Sequence, residues 1–149
     1  MGELVVEISV GEGVSPPVDA GRVEAAVRAV LAAEGVDEAE MSIVLVGDAE
    51  IAALNEEYLD HEGPTDVISF HLHEEGDPPL GDVYVGVEQA ARQAAEFGAT
   101  PAEEVVRLAV HGTLHVLGWD HPKDDDRGDS PMFRRQEELL RALADGERP

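Results

Sequence analysis

Residues 100–121 read TPAEEVVRLAVHGTLHVLGWDH, and this stretch organises the reading of the rest of the chain. Thr100, with Pro101 behind it and Glu103 three residues on, forms a capping-box helix start. The helix carries His111 and His115, whose four-residue spacing projects both rings from one face, where they can bind a single metal ion. Gly118 is a natural stop, because a left-handed glycine just past the last turn reverses the chain. The segment from Trp119 to His121 can then bring a third imidazole, that of His121, back to the same ion. Three neutral imidazoles on Zn²⁺ leave the fourth tetrahedral position for water, whose pKa falls to about 7, which is the composition of a catalytic zinc site. One Zn²⁺ per chain is the expectation. Asp120, between Trp119 and His121, is the nearest carboxylate for a peptidase base, but its position suits support of a ligating imidazole better.

Upstream of this helix the pattern alternates between strand and helix. Leu4 to Val10 reads as a strand, and Asp19 caps a helix with Val23, Val27, Val30 and Leu31 at the 3.6-residue period and Gly35 as its stop. Met41 to Val46 is a second strand. Asp48 is expected to cap a helix with Ile51, Leu54 and Tyr58 on one stripe, and Asp66–Phe70 and Asp82–Val85 read as two short strands. A helix from about Glu88 to Phe97 stops at Gly98, and after residues 100–121 a last helix begins near Ser130 and Pro131. The order β α β α β β α α α predicts one α+β domain over residues 1–149, a small mixed four-stranded sheet packed with about five helices, with the zinc site on a helix and the turn after it.

Composition narrows the function classes. Among 149 residues there are 33 Asp and Glu, 10 Lys and Arg, and no cysteine. The missing cysteine excludes a disulfide scaffold, a thiol nucleophile and Cys-ligated metal, so metal chemistry rests on His, Asp or Glu. No apolar run approaches the roughly 18 residues of a membrane span, and the acidic start MGELVVEISV lacks a leader's basic region, so a cytoplasmic protein with no membrane partner is expected. A net charge of −23 argues against indiscriminate binding to nucleic acid or anionic membranes without excluding a local cationic site, and no DNA partner is expected. Six of the ten positive side chains fall in the last quarter. Arg127, Arg134 and Arg141 are candidates for phosphate contact, and Arg134 and Arg141, seven apart, share a helix face. The acids interleaved with them equally fit a solvated surface.

The spacing HxxxHxxGxxH is also that of the metzincin zinc proteases, which have Glu where this chain has Gly112. A glycine cannot take a proton from zinc-bound water. Gly inside a helix suggests close approach of backbone or substrate beside the metal. A site of three histidines keeps the full charge of the ion, which favours an anionic substrate such as a phosphodiester.

The run His111–His121 matches HGxLHxxGxDH without a mismatch, and with Leu54, Asn55, Tyr58, the segment Pro64–Phe70, Gly81 and Asp82 it resembles the YbeY-type endoribonucleases, the ribosomal RNA maturation factors. The resemblance implies a single-strand-specific, zinc-dependent endoribonuclease in the cytoplasm. Its expected partners are ribosomal RNA and the small ribosomal subunit or its assembly factors, in rRNA processing and ribosome quality control. It also implies that Thr65, Asp66 and Ser69 line the cleft beside the metal, although Thr65 or Asp66 can equally bond the backbone at a strand entry. Family members commonly carry an arginine after the tyrosine that precedes the Pro-Thr segment; here Leu59 follows Tyr58. Two other functions stay open: a metallopeptidase with a non-standard base, and a non-catalytic, zinc-containing assembly factor.

Overall fold

Parallel neighbouring strands cannot be joined by a tight turn, so each such pair needs a crossover. In the computed structural model, which describes residues 2–119 and 130–147, the first crossover is helix α1 (Ala20–Ala33), between β1 (Leu4–Val10) and β2 (Ala39–Val46). The second is longer. Helix α2 (Asp48–Leu59) and β3 (Val67–His71) intervene before β4 (Leu80–Gly86) pairs parallel with β2. β3 lies antiparallel on the far side of β4, so the order is β1-β2-β4-β3. Helices α3 (Val87–Phe97), α4 (Pro101–Val116) and α5 (Pro131–Glu147) follow. This is the mixed four-stranded sheet with five helices that the sequence predicts.

Several element ends differ from expectation. β2 begins two residues earlier, β4 is longer at both ends, and β3 leaves out Asp66 but reaches His71. Asp48 is the first residue of α2 instead of its cap. The N-cap is Gly47, which has no side chain to offer, and Glu88 Oε1 accepts the Asp48 N–H at 3.1 Å in its place. The cap therefore comes from the first turn of α3, a partner 40 residues away.

Alternation along the strands separates two apolar clusters. Met41, Ile43 and Leu45 of β2 and Val83 and Val85 of β4 are buried together with α1 and α4 in the main core. On the other face, Val46, Ile51 and Ile68 are buried beneath α2, and Phe70 stands edge-on to both Tyr58 and Tyr84.

Helix α4 and strand β4 meet through two reciprocal pairs. A Cβ on Gly112 would lie 2.5 Å from Val83 Cγ1, and a Cβ on Gly81 would lie 2.6 Å from Val116 Cγ1. Four helical residues rise about 6 Å and two strand residues about 6.6 Å, so a glycine faces a valine at both levels. Gly112 thus serves close helix–sheet packing: of the two readings the sequence leaves open, close approach of backbone or of substrate, the contact with Val83 on β4 fits the first.

The end of α4 follows the predicted stop. Gly118 has φ 100°, its N–H donates to His115 O, and the Trp119 N–H donates to Leu114 O, a Schellman pair. Beyond it, Glu34 at the end of α1 accepts from the Trp119 indole and, at 2.9 and 2.7 Å, from Nε and Nη2 of Arg135. The Arg135 pKa is raised chiefly by that hydrogen bond. No helix among the described residues is long and apolar enough to cross a membrane.

Candidate functional site

The capping box of α4 is formed as predicted. Thr100 Oγ1 accepts the Glu103 N–H at 3.1 Å, and the Thr100 N–H donates to Glu103 Oε1 at 2.8 Å. From that fixed start the helical period carries Glu104, Leu108, His111 and His115 along one stripe. All four line a cleft of about 650 Å³. Thr65, Asp66 and Ser69, at and within the start of β3, line the same cleft, as do residues of α3 and α5. The structure therefore gathers the two described histidines with all three residues of the Pro-Thr segment singled out from the sequence.

The histidines converge on each other. Their Nε2 atoms are 3.1 Å apart and their rings meet edge to face. His111 Nδ1 lies 2.7 Å from Gln136 Oε1, an oxygen that only accepts, so Nδ1 carries the proton and Nε2 presents a lone pair. Gln136 is held in turn through a 3.3 Å bond from its Nε2 to Glu137 Oε2. Two ring nitrogens so close need a proton or a cation between their lone pairs. Zinc–nitrogen bonds of about 2.0–2.1 Å at a tetrahedral angle put two ligand nitrogens about 3.3 Å apart, so the pair fits two positions of such a site. Among the described residues no group of three His, Cys, Asp or Glu completes a metal site. His121, the third expected ligand, lies outside the described residues, as do Asp120 and Arg127.

The remaining candidates divide. Asp66 performs both readings at once: it lines the cleft, and its Oδ1 accepts the Val67 N–H at 2.8 Å while Oδ2 accepts from Gln93 at 3.2 Å. Thr65 Oγ1 reaches Asp66 Oδ1 at 3.4 Å. Arg134 and Arg141 do not line this cleft. Arg141 belongs to a separate depression of about 220 Å³ shared with Arg22 and Arg107. Leu59 lines the same cleft as the histidine pair and contributes an apolar side chain to it.

Among the lining residues that sequence reasoning missed are Glu104, Arg107 and Gln136. Glu104 and Arg107 lie one to two turns before His111, so helical spacing alone would have found them. Arg107 pairs with Glu104 at 3.5 Å and contacts Glu137. Burial pushes the Glu104 carboxyl up, with Arg107 opposing. Gln136 had no local signal, because it reaches His111 from 25 residues away.

Fold and cleft together define a class: an α+β protein with one mixed sheet and a helix-borne histidine pair in an open cleft. The sequence profile of the Endoribonuclease YbeY family matches residues 15–144, and the chain belongs to that family. A Moorella thermoacetica protein described as Endoribonuclease YbeY is 46% identical over 76% of this chain and 79% of its own. The Bacillus licheniformis protein of the same description is 37% identical over 92% of this chain and 93% of its own. The solution structure of a Thermotoga maritima protein superposes with a TM-score of 0.65 at 26% identity, covering 95% of this chain and 91% of that one. The protein is accordingly an endoribonuclease, a hydrolase whose substrate is RNA.

Proposed function

We propose that the chain is a cytoplasmic, zinc-dependent endoribonuclease that cuts single-stranded ribosomal RNA during small-subunit maturation and ribosome quality control, with the metal held by His111, His115 and His121. The observation that carries this reading is the 3.1 Å approach of His111 and His115 Nε2 with His111 locked in one tautomer by Gln136. Zinc bound there supplies a Lewis acid for the charge that develops on the scissile phosphate. The chain's own contribution is positional. Gln136 keeps the His111 proton on Nδ1, the Asp66 hydrogen bonds hold the β3 entry against α3, and Ser69 and Thr65 are hydroxyl side chains lining the same cleft. A peptidase reading is disfavoured by Gly112, because a side chain there would run into Val83 instead of reaching the cleft.

The test is purified protein with its metal counted, incubated with labelled single-stranded rRNA and with casein, beside His115→Ala. RNA cleavage and zinc content lost together in the variant support the proposal. RNA cleavage that survives with the zinc gone overturns the metal dependence, and cleavage of casein overturns the substrate.

A further inference from the structure

Phe97, at the end of α3, is 76% exposed and lines the same cleft as His111 and His115. Single exposed apolar side chains are common on proteins. This one stands beside a site that acts on a polyanion, in walls that offer little charge to hold it. Among the described lining residues the one arginine or lysine is Arg107, engaged by Glu104 and Glu137. Asp66, Glu96 and Glu104 line the same cleft. Among the described lining residues, positive charge to hold a phosphate backbone is therefore scarce. Every nucleotide also carries a π-face, which stacks on an aromatic ring whatever the base and without help from charge.

Resting on the cleft as the place where RNA is cut, we propose that Phe97 is a base-stacking residue: one unpaired nucleobase near the scissile phosphodiester packs on its ring and holds the strand across the cleft. Bases within a duplex are already stacked on their neighbours and have no free face to offer, so the same contact selects single strands. Phe133, also in the cleft, is half-buried against the protein and leaves less ring for a ligand.

The test is rapid-mixing binding of the metal-loaded full chain to a short single-stranded RNA with 2-aminopurine in place of one purine, stepped along the strand. The wild type should quench the probe at one position. Phe97→Ala should bind about tenfold or more weakly, the loss of one base–aromatic stack, and lose the quench. Phe97→Trp should restore both and Phe97→Leu neither. Because no charge is removed, the slope of log K against log salt should match the wild type. Phe97 is exposed, so an unchanged melting temperature checks that each variant folds. Wild-type affinity in Phe97→Ala, or full recovery by Phe97→Leu, overturns the stack while leaving the cleavage site in place. A wild-type chain that does not bind the RNA overturns the assignment of the cleft and the stack with it.

Discussion

The hydrogen bond from His111 Nδ1 to Gln136 decides which ring nitrogen faces the cleft, and a leucine in place of that glutamine keeps most of the volume while removing the acceptor. Partners of this kind typically contribute about 10- to 100-fold in metal affinity. Gln136→Leu should therefore weaken zinc binding at least tenfold in competition with a chelator, and Gln136→Glu, which keeps an acceptor, should recover most of it; equal affinity in Gln136→Leu would show that the tautomer is set elsewhere. Gly112 poses the opposite question. Alanine is the better helix former by about 0.8–1.0 kcal/mol, but its methyl would sit 2.5 Å from Val83 Cγ1. Overpacking of that kind costs about 1–3 kcal/mol, so Gly112→Ala should lower stability in urea unfolding, and Val83→Ala in the same chain should recover part of the loss. A more stable Gly112→Ala protein would mean that α4 can lift from the sheet.

At the level of elements, the capping box of α4 links stability to pH. The Glu103 carboxyl is held below its ordinary value by the Thr100 backbone N–H, then by the Thr100 side chain. A carboxyl whose folded pKa is depressed stabilises the protein above its unfolded pKa, and that contribution disappears as pH falls through the folded value. The melting-temperature advantage of wild type over Glu103→Gln should thus be present at neutral pH and shrink as the pH falls below the ordinary carboxylate range; a difference that stays constant on acidification would remove the carboxylate from the account. These local devices are what a sequence displays. Thr100, Glu103 and Gly118 announce their helix ends because each partner lies within a few residues. The cap on Asp48 was misplaced because its acceptor, Glu88, arrives from another helix. The sequence leaves Gly112 open between backbone and substrate approach because Val83, the group it makes room for, is on a strand that no periodicity connects to it. Likewise the β3 segment was visible, but its place beyond β4 depends on pairing across the sheet.

The whole molecule carries 33 acidic side chains against 10 basic ones, and the described ion pairs engage Glu24, Glu34, Asp48, Glu104, Glu137 and Glu138. Self-repulsion among the rest opposes the compact state and is screened as the Debye length falls from about 10 Å at 0.1 M salt to about 3 Å at 1 M. The melting temperature should rise by several degrees when sodium chloride is raised from low to molar concentration. A fall would show that the paired arginines contribute more than the net charge. One carboxylate has a reach that simple pairing does not describe. Glu34 holds Trp119 and Arg135, so the chain between them leaves from and returns to a single group on α1. Fixing two points of a chain in advance meets part of the entropic cost of bringing a residue near one of them to a site. With Trp119 fixed two residues ahead of His121, that imidazole would meet a metal at high effective concentration. Glu34→Ala should then slow zinc capture and weaken its retention without altering any of the three histidines, and unchanged capture kinetics would sink the idea. A side chain contributed by the first helix would in that way govern how quickly the enzyme is charged with its metal.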